Sequence, residues 1–246
     1  MIICHSHRFI FVKTRKTAGS SAEIALSRAC GPGDCVTRLS EDRGEEALRQ
    51  QESGFGPANH HKPLLAHRGL KEWKRLLLRG QRAEYGYHTT AAEIRTIVGH
   101  QCWRDYFTFT IERDPWDRAL SRYFWQKQRW EEKPRDSEFP GISDYLVWLE
   151  THKPHWLSNW GHYAISDTVA VDRILRYENL SAELEEVRQH LGVEASFKLP
   201  EKRAKGGFRP RRQPYTELLS DADRERIARV CRREIETLGY QYGELA

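Results

Sequence analysis

Long apolar runs are missing from this chain. No window approaches the ~20 consecutive apolar residues of a membrane span, so no spanning segment is predicted. The first residues, MIICHSHRFIFV, lack both a basic leader and an apolar core with a cleavage site, so a cytoplasmic location is expected. Cysteine is scarce: the five at positions 4, 30, 35, 102 and 231 are odd in number and scattered, with no CxxC. That spacing argues against a disulfide framework or a zinc cluster; free, mostly buried thiols are expected, and no metal. Neither sign of charge dominates, since 40 Lys+Arg stand against 35 Asp+Glu for a net charge of +5. Such a mild excess suits an anionic ligand but falls short of a dedicated nucleic-acid binder. Internal repeats of 20 to 50 residues are also lacking.

The composition that is there, 39% hydrophobic and 30% charged, is that of an ordinary globular protein. At 246 residues the chain is long enough to bury a substantial core, and a single domain over 1–246 is predicted. Residues 9–12 (FIFV) read as a short buried strand, and Ser20 to Cys30 as a helix stopped by Gly31-Pro32-Gly33. A polar, turn-rich segment over 37–61 reads as a partly helical, exposed insertion, and residues 68–79 as a basic amphipathic helix. Residues 107–111 (FTFTI) read as a central strand. A helix follows, with Asp114 as N-cap, Pro115 at its first position and Trp116, Ala119, Leu120, Tyr123 and Phe124 on one stripe. A charged loop is expected over 127–141, a strand over 172–177, a helix over 181–191, and a terminal helix from Ser220 to Gly239. Strands alternating with helices predict an α/β three-layer sandwich around a central, mainly parallel sheet.

The stretch FIFVKTRKTAGSSAEIAL (9–26) reads as strand, glycine-containing turn, helix N-terminus. That geometry binds anions, because the unpaired amides of the first helical turn and the positive end of the dipole converge there. Lys16 adds a full charge; Thr17, Ser20 and Ser21 add hydroxyls; Gly19 allows close backbone approach. The order is not that of a Walker A loop, whose lysine follows the last glycine. Here Lys16 precedes Gly19 by three residues, which disfavours ATP or GTP hydrolysis and asks for a different anionic donor.

The KTRKTAGSS segment resembles the 5′-phosphosulfate loop of sulfotransferases that use 3′-phosphoadenosine-5′-phosphosulfate (PAPS), especially the carbohydrate branch. Residues 107–123 (FTFTIERDPWDRALSRY) are similar to the 3′-phosphate motif of that family, and 174–180 (ILRYENL) to its R-[FY]-E-x-L segment. The resemblance implies a P-loop-kinase-like sulfotransferase fold and PAPS as co-substrate. It implies donor contacts from Lys16, Thr17, Ala18, Gly19, Ser20, Ser21, Arg113 and Ser121. Independently of it, Arg113 stands between a strand and a helix start, placed for bidentate contact with a phosphate. The basic stretch 203–216 resembles the segment that closes over the nucleotide, within a C-terminal part of about 200–246, and makes Lys205 and Gly206 further candidates.

Sulfuryl transfer to a hydroxyl calls for a proton acceptor and a positive charge at the leaving oxygen, a role that fits Lys16. For the base, His88 stands just ahead of a capping box formed by Thr90 and Glu93, where a helix N-terminus favours neutral imidazole. It lies in a stretch that resembles the base-bearing segment of related sulfotransferases. His60 and His61, His67 and Glu112 are the other candidates. The tryptophans of 145–163, with Trp125 and Trp130, suit either a glycan acceptor or simple packing. A small-molecule or glycan acceptor is expected, and no nucleic acid; the oligomeric state is open. Two other readings stay open as well: a nucleotide or small-molecule kinase using this loop, and a non-catalytic module for phosphate-rich partners or nucleic acid.

Overall fold

The computed structural model describes residues 1–41, 44–63, 70–132, 137–201 and 213–244. Its centre is a five-stranded sheet in the order β3-β1-β2-β4-β7. The strands are β1 (Ile2–Cys4), β2 (Phe9–Val12), β3 (Cys35–Val36), β4 (Phe107–Glu112) and β7 (Arg173–Arg176); β5 (Ala164–Ile165) and β6 (Thr168–Val169) form a separate small hairpin. β2 pairs with β4, and β4 with β7, in parallel; β1 runs antiparallel to both β2 and β3. The sheet is therefore mixed, with β1 alone running against the other four. The first strand is absent from the sequence reading. Its signal is the polar turn HSHR, which separates the apolar runs IIC and FIFV and lets Cys4 pair with Phe9.

Alternation along the strands sorts side chains onto two faces. Ile2, Phe9, Phe11, Phe109 and Ile111 face one way and meet α1 (Gly19–Leu26) through Ala22 and Leu26. The same core takes Leu184 and Val187 from α8 (Leu180–His190). Ile3, Ile10 and Val12 face the other way, against Ala91 and Ile94 of α4 (Ala91–Asp105) and Tyr163 of α7 (Trp160–Tyr163). Helices on both faces make the expected three layers. On the second face β4 carries threonines, whose hydroxyls are satisfied locally: Thr110 Oγ1 donates to the carbonyl of Val12 at 2.7 Å. A further core joins α5 (Pro115–Glu131), α6 (Ile142–His152) and α9 (Asp221–Val230). The predicted stripe enters it, with Trp116, Ala119, Leu120 and Tyr123 buried and Phe124 packed alongside.

The amphipathic helix agrees with the sequence reading, and three other elements differ from it. α5 runs on to Glu131, into the segment 127–141 expected as a charged loop. The 37–61 segment forms α2 (Glu45–Gln51), and it is not simply exposed: Leu39 and Leu48 pack with Ile24, and Arg49 is fully buried. The amphipathic helix is α3 (Leu70–Arg79), with Leu70, Leu77 and Leu78 exposed. The terminal helix is broken at Cys231 into α9 and α10 (Arg232–Leu238), because the buried Cys231 adopts φ −103, ψ 22, outside the helical region. The five cysteines are free thiols; Cys4, Cys35 and Cys231 are buried, Cys30 and Cys102 half-buried. No helix among the described residues is long and apolar enough to cross a membrane.

Candidate active site

The loop between β2 and α1 crosses the carboxyl ends of the parallel strands, where open α/β sheets bind ligands. Lys16 (φ 62) and Ala18 (φ 59) both adopt left-handed backbone, a conformation that costs non-glycine residues roughly 1–2 kcal/mol each. The surroundings fix this shape. Asn159 clamps Arg15 from both sides, accepting from its amide at 3.0 Å and donating to its carbonyl at 3.1 Å. Arg113 Nη1 donates to the carbonyl of Lys16 at 3.3 Å. Thr14 Oγ1 donates to the carbonyl of Ile111, tying the loop to β4.

Beneath the loop Lys13 is buried and pairs with Glu23 at 2.5 Å. Burial alone would raise Glu23, but Lys13, the amino terminus and Arg49 outweigh it and hold the carboxyl at about 2. Gly19 is required by this packing, since a Cβ there would sit 2.7 Å from Cγ of Lys13. Gly19→Ala is therefore expected to displace Lys13 and lower stability by about 1–3 kcal/mol, the usual cost of overpacking. Urea unfolding checks it, and an unchanged midpoint would show that the lysine can move aside freely.

The hydroxyl of Thr17 is turned toward a neighbour. It lies 2.8 Å from Thr14 Oγ1 in a fully buried position. Ser20 and Ser21 lie in the first turn of α1, whose amides have no acceptor within the helix. The ammonium of Lys16 rests 5.3 Å from the ring of Trp125 on α5. Ser121 stands one turn before Trp125 and shares its side of the helix. Lys16 is thus reached from α5 by Trp125 and through its carbonyl by Arg113. Lys205 and Gly206, like His67, fall outside the described residues.

Arg113 is positioned by its neighbours. Its Nε donates to Asp117 at 2.8 Å, and its guanidinium stacks on Tyr177 at 4.1 Å. The next residue, Glu178, accepts from the amide of Asp114 at 2.8 Å, and Asp114 caps α5 through the amides of Trp116 and Asp117. The RYENL segment is thereby explained: it places the stacking surface and pins the helix start.

On the other side of the loop His88 precedes α4, whose capping box is complete: Thr90 Oγ1 accepts from Glu93, and Glu93 from the amide of Thr90. Nδ1 of His88 lies 3.2 Å from the carbonyl of Lys13. A carbonyl only accepts, so Nδ1 carries the proton and Nε2 keeps the lone pair. Burial, then Lys13, Arg15 and His162, holds the imidazole well below the usual histidine range. The ring of His162 lies tilted to it at 5.8 Å and accepts from Arg15 Nη1 at 2.8 Å. The other candidate bases are placed elsewhere. The rings of His60 and His61 lie tilted against each other at 4.5 Å beside Glu84, and neither lines the cleft that holds His88. Glu112 is buried under Arg118 and bonded to Asn159 at 3.2 Å, which takes it out of reach of a substrate proton. Burial first, helped by Glu234, pushes it above the ordinary carboxylate range despite Arg118.

His88 opens into a cleft of about 730 Å³ whose walls include Arg15, His155, Trp160, His162, Arg232 and Arg233. The sequence reading missed this wall. The segment 145–163 drew attention for its tryptophans, while Asn159 and His162 within it hold the loop. Arg229, Arg232 and Arg233 fall at helical spacing, a signal that only the docking of α10 makes useful.

The model of the sulfotransferase family matches residues 1–241. Among curated proteins none matches. A solved structure similar to this chain is a sulfotransferase from Alicyclobacillus acidocaldarius, at 18% identity and a TM-score of 0.44 over 95% of this chain and 98% of that one.

Proposed function

Since the chain belongs to the sulfotransferase family, we propose that it moves the sulfuryl group of PAPS to an acceptor hydroxyl on a carbohydrate. One observation carries the reading: a single strained loop is held between Arg113 on one side and His88 on the other. The loop amides, Lys16 and Ser20 receive the 5′-phosphosulfate, and Arg113 with Ser121 receives the 3′-phosphate. His88 Nε2 takes the proton of the acceptor hydroxyl as that oxygen attacks sulfur, and Lys16 steadies charge on the bridging oxygen as its bond to sulfur breaks. Asn159 and Tyr177 touch no substrate; they hold the loop and Arg113 in place.

The lowered basicity of His88 has a part to play in this scheme. Part of it comes from Lys13 and Arg15, so an anionic donor in the loop offsets their field and raises the imidazole toward its ordinary range. NMR titration should show that rise on adding 3′,5′-bisphosphoadenosine.

The direct test is thermal shift with 3′,5′-bisphosphoadenosine against ATP, followed by transfer of labelled sulfate to a panel of saccharides. Preference for ATP, or no transfer from PAPS, would overturn the reading. Arg113→Ala should weaken the bisphosphate by about 1.5–3 kcal/mol, the worth of a hydrogen bond to a charged group, since Asp117 and Tyr177 already hold part of this guanidinium. An analogue lacking the 3′-phosphate should lose almost nothing. Calorimetry that gave equal losses for the two would remove Arg113 from that role.

A further inference from the structure

One set of large apolar side chains stays outside every core. Leu70, Leu77 and Leu78 of α3 are 84%, 78% and 81% exposed, and Trp73 is 41% exposed. None of the four enters a hydrophobic core among the described residues. Apolar side chains scattered singly over a surface need no explanation, but these are not scattered. Leu70, Trp73, Lys74, Leu77 and Leu78 stand at i, i+3, i+4, i+7 and i+8, which is one face of a helix. Glu72 and Leu76, four residues apart, lie on the opposite face and are half-buried. The helix therefore meets the body of the protein through its Glu72 side, where Lys62 holds that carboxylate at 3.0 Å, and turns its leucines outward.

The chain leaves and returns at one point. The amide of Lys62 donates to the carbonyl of Ala83 at 2.7 Å, and His61 forms a β-bridge with Glu84, so the segment that carries α3 is closed at its base. The helix spans about 15 Å and stops at Gly80, whose φ of 63 is left-handed.

Charge tells what the outward face meets. Residues 70–82 hold five lysines and arginines against the single carboxylate of Glu72, which Lys62 engages from outside that stretch. Lys74, within the apolar face, is exposed, and so are Arg79 at the end of the helix and Arg82 beyond it. A second copy seated here by two-fold symmetry would set like charges against like. A bilayer of anionic lipids takes both features together: leucines enter at the boundary of the acyl chains, while long basic side chains reach the headgroups. A half-exposed tryptophan on the same face suits the headgroup level.

We propose that α3 docks the protein on anionic lipid surfaces, its leucines and Trp73 entering the interface while Lys74, Arg79 and Arg82 meet the headgroup charge. The proposal is independent of the reaction assigned to the cleft. Docking by one short helix is reversible, and its electrostatic part weakens with salt.

In the experiment the full chain is sedimented with vesicles of phosphatidylcholine alone and of phosphatidylcholine mixed with phosphatidylglycerol. Binding to the mixed vesicles is expected to exceed that to the neutral ones by about 10-fold or more, and to lose most of that margin in about 0.5 M salt. Leu77→Gln combined with Leu78→Gln should weaken binding to the mixed vesicles by about 10-fold. Lys74→Gln combined with Arg79→Gln should cost a similar factor, about 10-fold. All four side chains are exposed, so both variants should keep the melting temperature of the parent. Equal binding to the two kinds of vesicle overturns the proposal. Unchanged binding of the leucine variant does so too, since it would leave only diffuse attraction of a basic protein to the headgroups. A parent that ignores vesicles but forms a dimer, lost in the leucine variant, also overturns it and would make this face a contact between copies of the chain.

Discussion

Replacing His88 with alanine is expected to slow sulfuryl transfer about 10²–10⁴-fold, the range for loss of a general base, with affinity for the bisphosphate nucleotide nearly unchanged. The expectation follows from the proton inventory: Lys13's carbonyl holds Nδ1–H, so Nε2 keeps its lone pair, and His88 lines the cleft. The sign of the pH dependence follows from the environment. Burial and neighbouring cations lower the pKa well below 6.5, so the neutral, active form persists down through that pH. The acid limb of the rate at limiting substrate, which reports the free enzyme, should then lie below the ordinary histidine range and vanish in the mutant. A His88→Ala enzyme with its rate and acid limb intact would move the base elsewhere.

Lys16→Ala is expected to cost about 10²–10³-fold in turnover, comparable to losing one preorganised donor at a developing negative charge. Binding of the desulfated nucleotide should change far less, because the interaction strengthens only as the bridging oxygen gains charge. The structure adds a detail to this expectation. Lys16 lies beside Trp125, so its ammonium is held near the ring rather than ranging through solvent. Trp125→Leu should accordingly lower turnover in the same direction but less. Single-turnover kinetics with PAPS would separate the chemical step from release; wild-type chemistry in Lys16→Ala would discard the assignment.

What could be read from the sequence was what is decided locally. The strand 107–112, its Asp114 cap and Pro115 lie within a few residues, and the same holds for Thr90 and Glu93 ahead of α4. The loop announced itself through Lys16 and Gly19 for the same reason. What escaped depends on direction and distance. A sequence does not tell which way a loop hydroxyl turns, and that of Thr17 turns onto Thr14. Helical spacing continues across Cys231, whereas the structure breaks there, with that side chain buried against Leu157 and Arg118. Arg15 reaches the cleft only because Asn159, far along the chain, grips its peptide on both faces.

That grip also bears on how the protein comes to be made. Arg15 and Asn159 are separated by 144 residues, and Asn159 is itself braced by Glu234, another 75 residues on. Contacts so remote in sequence close late, since the intervening chain must be ordered before they are rewarded. The loop leaves the ribosome long before its brace does. Nascent chains arrested at increasing lengths should therefore fail to retain the bisphosphate nucleotide until the turn of α10 that carries Glu234 has cleared the exit tunnel.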